Sequence, residues 1–263
     1  MTAAGPDIGH GHLSRALSLA EAQWPDRITL ELEVDVSVLS PTELGRAVAA
    51  RIGIVSPGTP VGPGCVVVID RPDPTAAAEA YALNRLVVFD DVEAFIGQAE
   101  IVVQPSAERW HGAAATDRVL AGYRWVPIGA RWRRSIEAAG DDARLPSRSR
   151  PSVLVCFGGS DPAGVTARIG GLVGADPRWS AAIVVGHGYR GARPPGVDIR
   201  PDPGDLPDLV RQTDLAVISA GTIKVEVAAL GRPALLVGVA DDQRDVGPAF
   251  AATGAARWLG DGR

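Results

Sequence analysis

Residues 219–222, Ser-Ala-Gly-Thr, form the stretch of this sequence best suited to binding a charged ligand. A short apolar run over 214–218 precedes them, and a helical pattern that carries Glu226 follows and ends at Gly231. A strand, a loop of small residues and a helix in this order leave backbone N–H groups pointing above the strand end, which suits a phosphate. Glu226 falls one helical turn beyond Thr222, where it could accept hydrogen bonds from a ribose diol. An ordinary strand–loop–helix connection with a surface glutamate would show the same pattern.

The sequence Gly-His-Gly-His, which ends at His12, provides a candidate general base. Apolar residues over 16–20 then recur at helical spacing, so His12 is expected in the first turn of a helix. There the positive end of the helix dipole favours the neutral imidazole that a general base needs. Arg15 lies one turn further on and could hold an anion nearby. A helix start with incidental polar residues is the alternative, which we prefer for His10.

Polar residues follow three apolar runs of strand length in the first half of the chain, and the first two runs end in Asp70 and Asp90. Ligands of open α/β sheets bind at the carboxyl ends of the strands. Both carboxylates are therefore candidate catalytic groups. Each could instead cap the helix that follows it, because aspartate is a common N-cap residue.

The composition describes a two-domain protein with aliphatic cores. The 263 residues carry a net charge of −5 without a block of like charges, which argues against a nucleic-acid groove. No apolar run reaches the roughly 18 residues that span a bilayer, and no secretory signal precedes the first motif, so we expect no integral membrane segment and a cytoplasmic location. Cys65 and Cys156 are expected to be buried small hydrophobes in a reducing compartment rather than a disulfide or metal pair.

Strands and helices alternate in both halves of the chain, which predicts an α/β protein with mostly parallel sheets. We expect two Rossmann-like domains whose glycine loops face a shared cleft. The predicted boundaries are 1–135 for an N-terminal domain with the His12 loop, 136–150 for a linker, and 151–263 for a C-terminal nucleotide-binding domain. In the second domain, the apolar run over 152–157 leads into another glycine-rich loop.

Three further patterns describe the N-terminal domain. Residues 27–36 alternate apolar and acidic side chains, which predicts a strand with one wet face at a sheet edge. Residues 41–52 form an amphipathic helical pattern with Ser40 as its candidate N-cap. Residues 65–69 are apolar throughout, which predicts a central strand.

Three motifs occur in a fixed order along the chain: Gly9-x-Gly11-His12-x-x-Arg15, then Phe157-Gly-Gly-Ser-Asp-Pro162, then Ser219-x-Gly221-Thr222-x-x-x-Glu226 with Gly231-x-Pro233 and Asp242-Gln243. Taken together, they resemble the UDP-sugar hydrolase family of the pseudaminic acid pathway and the related spore-coat polysaccharide proteins, a group that shares the GT-B architecture. The C-terminal half is also similar to the donor domain of the N-acetylglucosaminyltransferases that make lipid II.

The resemblance implies that a UDP-sugar binds between the domains and is split into UDP and free sugar without a metal or another cofactor. It implies that His12 activates water and that Glu226 holds the ribose. The other substrate-binding residues that it implies, together with the loop and helix patterns above, are Gly11, Arg15, Gly158, Gly159, Ser160, Asp161, Ser219, Gly221, Thr222 and Gln243. A GT-B glycosyltransferase with a UDP-sugar donor and a non-catalytic nucleotide-sugar-binding homologue are the alternatives, and the oligomeric state stays open.

The sequence departs from the hydrolase family at three places. The family begins with an apolar strand before the His12 loop, whereas only residues 1–8 precede that loop here, so we expect either a short chain start or a first sheet without one central strand. This sequence has Asp70-Arg71-Pro72 where members of the family usually carry a triplet such as Asp-His-Tyr. The departure affects which sugar we expect the protein to accept. Ile223 and Lys224 replace small or aromatic residues after the Gly-Thr pair, which could alter the phosphate contact.

Overall fold

The computed structural model divides the chain into two compact units, residues Met1–Gly129 and Ala130–Arg263. It describes residues 11–22, 31–34, 37, 39–56, 58–62, 64–70, 75–89, 95, 97–106, 118–140, 149–159, 161, 164–186, 189–194, 197–201 and 203–262. Among the helices of these residues, none has both the length and the apolar character needed to cross a membrane.

The first unit contains short helices and parallel strands. Its described elements, in order, are α1 (Gly11–Ala20), β1 (Glu31–Glu33), α2 (Pro41–Ala49), β2 (Gly53–Val55), β3 (Val66–Ile69), α3 (Thr75–Ala80), β4 (Arg85–Phe89), β5 (Ile101–Gln104), β6 (Val119–Ala121) and a 3-10 turn (Tyr123–Trp125). The described strands fall into two sheets, one formed by β1 and β2 and the other ordered β3-β4-β5-β6, with all pairs parallel.

Local sequence signals place the helices of the first unit correctly. Ser40 caps α2 as predicted, because its hydroxyl accepts from the Glu43 N–H at 3.2 Å while the Glu43 carboxylate accepts from the Ser40 N–H at 2.8 Å. Helix α1 begins at Gly11, so His12 does lie in the first turn. The buried side chains of Leu13 and Leu17 hold α1 against a core that includes Leu32 of β1.

Two expectations for the strands of this unit and one for a cysteine fail at least in part. Among the described strands, β1 lies at the edge of a two-stranded sheet and its Glu31 is exposed, as expected. Glu33, however, is buried and accepts hydrogen bonds from the Gly58 N–H and the Tyr81 hydroxyl, both at 3.0 Å. Strand β3 is at the edge of its sheet as the described strands define it, and Val66 is 51% exposed, so the apolar run is not a central strand. Cys65, just before β3, is exposed rather than buried, whereas Cys156 is buried as expected.

The second unit is a six-stranded parallel sheet with helices between its strands. Its elements, in order, are α4 (Ala130–Ala139), β7 (Ser152–Cys156), α5 (Val165–Ala175), β8 (Ser180–Val185), β9 (Asp198–Pro201), α6 (Leu206–Arg211), β10 (Leu215–Ser219), α7 (Ile223–Ala229), β11 (Ala234–Gly238), α8 (Gln243–Ala252) and β12 (Arg257–Asp261). The sheet order is β12-β11-β10-β7-β8-β9. Every residue of β7 is buried, which explains its unbroken apolar run.

The strand order of this sheet defines where a ligand could bind. Counted from β7, the order is 3-2-1-4-5-6, which is that of the Rossmann fold. Strand β8, which follows β7 in the chain, lies on one side of β7, and the later strand β10 lies on the other side. The loops after β7 and β10 therefore lead in opposite directions. The crevice at the carboxyl ends of two such strands is where open α/β sheets bind their ligands.

The helix α4 packs within the second unit, although the sequence analysis assigns its first six residues to the N-terminal domain and the rest to a linker. The buried Ser135 donates from its hydroxyl to Asp208 Oδ1 at 2.9 Å, and Arg131 Nη1 donates to the Gly204 carbonyl at 2.6 Å. Residues 141–148 of the predicted linker lie outside the described residues. Four short strands, β2, β6, β9 and β12, were not expected from the sequence.

The loops that follow β7 and β8 approach each other so closely that a side chain does not fit between them. A Cβ atom at Gly186 would lie 2.2 Å from the Gly159 Cα and 2.5 Å from its carbonyl oxygen, both backbone atoms. We therefore predict that Gly186→Ala lowers the free energy of unfolding by about 1–3 kcal/mol, the usual cost of overpacking. Chemical denaturation followed by circular dichroism measures this change.

Gly171→Ala in α5 is the matched control, because a Cβ atom there meets nothing within 4 Å. Alanine favours a helix over glycine by up to about 1 kcal/mol, so this variant should be slightly more stable than the wild type. Equal stability of the two variants would contradict the close approach of the two loops.

Candidate functional site

Three charged or polar side chains of the first unit meet at the carboxyl end of β3. His12 Nδ1 lies 2.6 Å from Asp70 Oδ1. The Arg15 guanidinium donates from Nη2 to Asp70 Oδ1 at 2.6 Å and from Nε to Asp70 Oδ2 at 2.9 Å. Asp70 is only 3% exposed, whereas the side chain of His12 is 21% exposed. The structure thus brings together two of the predicted catalytic residues and one predicted binding residue.

The first turns of α1 and the end of β3 position this cluster. Residues 12 and 15 are three apart in a helix, so both side chains project from the same face of α1. Strand β3 ends at Ile69, which is fully buried, and so delivers Asp70 to the same place. The Arg15 guanidinium also lies over the ring of Phe89, 5.7 Å from its centroid, at the end of the neighbouring strand β4.

The hydrogen bonds of His12 determine which ring nitrogen could act as a base. A carboxylate accepts and a guanidinium only donates, so Nδ1 cannot satisfy both Asp70 at 2.6 Å and Arg15 at 3.0 Å. We assign the proton to Nδ1 because its contact with Asp70 is the shorter and is charge-assisted. In the neutral imidazole, Nε2 is then unprotonated and able to take a proton from a reacting hydroxyl group.

The environment of Asp70 keeps its carboxyl group ionised. Burial alone would raise the pKa of Asp70, but the hydrogen bond with His12 and the positive charge and hydrogen bonds of Arg15 outweigh it and lower that pKa. Arg15 is therefore bound to Asp70. Contact of Arg15 with a substrate anion, as expected from the sequence, stays a prediction.

In the second unit, three of the predicted binding residues surround one small space above β10. A Cβ atom at Gly221 would lie 3.5 Å from Ser219 Oγ and 3.7 Å from Gln243 Nε2. Ser219 is 5% exposed and Gln243 is 9% exposed. The Gln243 amide is oriented by its own Oε1, which accepts from the Val239 N–H at 3.1 Å and leaves Nε2 to face Gly221.

The polar groups around this space are donors without acceptors in the described part of the chain. The described residues provide no hydrogen-bond partner for Ser219 Oγ, for Gln243 Nε2 or for the backbone N–H groups of Gly221 and Thr222. Neither Ser219 Oγ nor Gln243 Nε2 is completely buried as an atom, so both donors stay accessible to a ligand. A cluster of donors at a switch point suits an anion or a ligand rich in acceptor oxygens.

The glycine-rich loop after β7 is built differently. Gly158 adopts a φ of 90°. Asp161 is buried, and its two carboxylate oxygens accept from the N–H groups of Val165 at 3.0 Å and Thr166 at 2.6 Å. The amino terminus of α5 thus already carries a negative charge from the chain itself. Contacts of Gly158, Gly159 and Asp161 with a nucleotide stay predictions.

Glu226 lies close to the end of β7. The pKa of the Cys156 thiol is raised to about 11, mainly by burial and also by the charge of the Glu226 carboxylate, against the lowering effect of a hydrogen bond from the Gly158 backbone. Glu226 is itself only 6% exposed. The Glu226 carboxylate of α7 is therefore near enough to the last residue of β7, beside the switch point, for its charge to act on the Cys156 thiol. A ribose contact of Glu226 stays a prediction.

Two of the predicted site residues, Asp90 and Ser160, lie outside the described residues. Sequence reasoning missed that Lys224 is buried, with Nζ donating to the Ala220 carbonyl at 3.0 Å and the Gly221 carbonyl at 3.3 Å. A lysine among the apolar residues of α7 was the available signal, because a charged residue in such a segment needs polar partners.

Comparisons with known proteins identify the fold. The chain is similar to MurG of Acinetobacter baumannii, with 14% sequence identity and a TM-score of 0.54 over 96% of this chain and 84% of MurG. It is similar to CalG4, the calicheamicin glycosyltransferase, with 15% identity and a TM-score of 0.54 over 96% and 83% of the two chains. It is also similar to HepE of Anabaena in complex with UDP and glucose, with 11% identity and a TM-score of 0.53 over 100% and 85%.

No protein-family model matches the chain, and no curated protein matches its sequence. The structural similarity shows an α/β fold of the GT-B type with mostly parallel sheets, which confirms the fold class predicted from the sequence. At these low identities, it shows the fold alone.

The lowered pKa of Asp70 predicts how stability changes in acid. The ordinary value for this group is 3.8, and the folded chain holds it lower, so the ionised carboxylate stabilises the fold above that value. This stabilisation is lost as the pH falls through the folded-state pKa. We predict that the unfolding free energy of the wild type falls more steeply between about pH 5 and about pH 3 than that of Asp70→Asn.

Denaturant titrations of both proteins across this pH range measure the difference in slope. If the unfolding free energies of the two proteins changed in parallel with pH, His12 and Arg15 would not lower the pKa of Asp70 in the folded state.

Proposed function

We propose that this protein is a glycosyltransferase of the GT-B type that uses a UDP-sugar donor. The donor cluster of Ser219, Gly221, Thr222 and Gln243 carries this proposal, because it offers hydrogen bonds at the switch point of a Rossmann sheet without acceptors of its own. Two of the similar structures support it, since CalG4 is a glycosyltransferase and HepE was solved with UDP and glucose.

The second unit would bind the nucleotide. The diphosphate would accept hydrogen bonds from Ser219, Gln243 and the backbone of Gly221 and Thr222, and Glu226 would bind the ribose. As the glycosyl C–O bond breaks, negative charge develops on the departing UDP. Donors already aimed at that position stabilise the charge without reorganisation.

The first unit would supply the base. His12 would take the proton of the acceptor hydroxyl on Nε2 while that oxygen forms its bond to the sugar. Asp70 would hold the ring in the productive tautomer and stabilise the imidazolium that results, as a carboxylate does for a catalytic histidine. Arg15 would keep Asp70 ionised and in place.

Transfer is preferred to hydrolysis because a glycosyltransferase is among the structures that share the fold. Hydrolysis is the second candidate, favoured by the ordered His12, Phe157–Pro162 and Ser219–Glu226 motifs. Incubation with a panel of UDP-sugars, with and without hydroxyl acceptors, distinguishes them. UDP release that depends on an acceptor supports transfer, release of free sugar without an acceptor supports hydrolysis, and no release of UDP from any pair contradicts both.

The space beside Gly221 provides a test of the nucleotide site. A methyl group there would be in ordinary contact with Ser219 Oγ and Gln243 Nε2, at 3.5 and 3.7 Å, so it would fill the space without straining the fold. We predict that Gly221→Ala keeps the wild-type unfolding free energy but binds UDP at least about tenfold more weakly, a loss of about 1.4 kcal/mol. Isothermal titration calorimetry measures the affinity.

Gly204→Ala serves as the control, because a Cβ atom at this loop glycine, in another part of the same unit, meets nothing within 4 Å. It should bind UDP as the wild type does. Undiminished UDP binding by Gly221→Ala would remove this space from the nucleotide site.

Loss of the base should affect turnover without affecting nucleotide affinity. His12→Asn should lower kcat by about 10²-fold or more, because a positioned base contributes about 10²–10⁴-fold. UDP affinity should stay unchanged, since it depends on the other unit. The double variant His12→Asn/Asp70→Asn should be no slower than His12→Asn alone, because Asp70 acts through His12. Steady-state kinetics with the active donor tests this, and additive losses would show that Asp70 has a separate role.

A further inference from the structure

Lys224 is a buried cation directly behind the donor cluster. The residue is 5% exposed, its Nζ donates to the carbonyls of Ala220 and Gly221, and its ammonium lies 5.7 Å from the centroid of the Phe250 ring. Burying an ammonium group is costly even when it is paired, and an apolar side chain of similar volume is often as stabilising. Packing therefore does not explain why this position in α7 is charged.

The two carbonyls that Lys224 binds fix the direction of two backbone N–H groups. A trans peptide is planar, so its C=O and N–H point in opposite directions. The described residues contain no cis peptide bond. Because the carbonyl of Ala220 points to Lys224, the N–H of Gly221 points away from it. For the same reason, the N–H of Thr222 points away from the ammonium that holds the Gly221 carbonyl.

These are the same two N–H groups that have no partner in the described part of the chain. Ser219 is 5% exposed, and its hydroxyl group, likewise unpaired among the described residues, lies 3.5 Å from the Cβ position of Gly221. An unpaired polar side chain beside the loop, independent of the two N–H groups, favours a ligand position there. A cation on the carbonyl oxygens also polarises each peptide and makes its N–H a stronger donor.

We infer that Lys224 is a positioning residue that holds the peptides 220–222 with the N–H groups of Gly221 and Thr222 directed at the diphosphate of the donor. This inference rests on the proposed function, because it assigns a role towards the same ligand. Lys224 does not touch the nucleotide. It affects binding only by orienting the two peptides. It therefore contributes to the affinity for the phosphates of the ligand and not to the affinity for the nucleoside.

The test compares ligands with and without phosphates. We expect Lys224→Met to weaken UDP binding at least about tenfold while leaving the affinity for uridine within about twofold, as measured by NMR titration. Arg232→Met is the matched control, since Arg232 is also a buried cation, 4% exposed, just after the other end of α7, where its Nε donates to the Leu230 carbonyl at 3.3 Å. It should leave the ratio of the UDP and uridine affinities unchanged.

Equal weakening of UDP and uridine by Lys224→Met would show a general structural role and overturn the inference, as would unchanged binding of both. If Lys224→Met fails to fold, the wild type decides. UDP, but not uridine, must then shift the amide resonances of Gly221 and Thr222, and unmoved resonances overturn the inference. If the wild type binds no UDP, the proposed function fails, and inorganic pyrophosphate is titrated instead. Shifts of the two amide resonances would then support Lys224 as the organiser of an anion site. Unmoved resonances would overturn the inference.

Discussion

The candidate site of the second unit is defined by an imbalance of hydrogen-bonding groups at the carboxyl ends of β10 and β11. Ser219, Gly221, Thr222 and Gln243 provide donors there, and the described chain provides no acceptor for them. The carbonyls of Ala220 and Gly221, in the same loop, accept hydrogen bonds from Lys224 instead. Because these donors have no partner among the described residues, a ligand that supplies several acceptor oxygens can form a hydrogen bond with each of them on binding.

In the first unit, the central interaction is the stabilisation of one buried carboxylate by two neighbouring side chains. Asp70 is buried, which on its own disfavours its charge, and the pKa of its carboxyl group is nevertheless lowered because His12 and Arg15 both contact it. An ionised carboxylate then fixes the imidazole in one tautomer. In our proposal, each unit thus uses a paired group to orient groups that would face the ligand: Asp70 orients His12, and Lys224 orients the peptides of Gly221 and Thr222.

The sequence predicted best those features that short-range physical chemistry controls. The strand, loop and helix around residues 215–229 follow from an apolar run and from Gly231, whose φ of 66° ends the helix. Features set by contacts distant in sequence could not be predicted. Glu33 is buried because Tyr81, 48 residues away, donates to it, and Val66 is exposed because strand order places β3 at an edge. Similarly, His12 and Asp70 were each found as candidates, but the bond between them spans 58 residues.

A crystal structure of the protein with UDP tests the central claim most directly, because it shows where the diphosphate lies. The account predicts phosphate oxygens within about 3.2 Å of the Ser219 hydroxyl and of the Gly221 or Thr222 nitrogen, with the carbonyls of Ala220 and Gly221 still bound to Lys224. A diphosphate bound away from this loop, or peptides 220–222 turned so that their N–H groups point at Lys224, would contradict it.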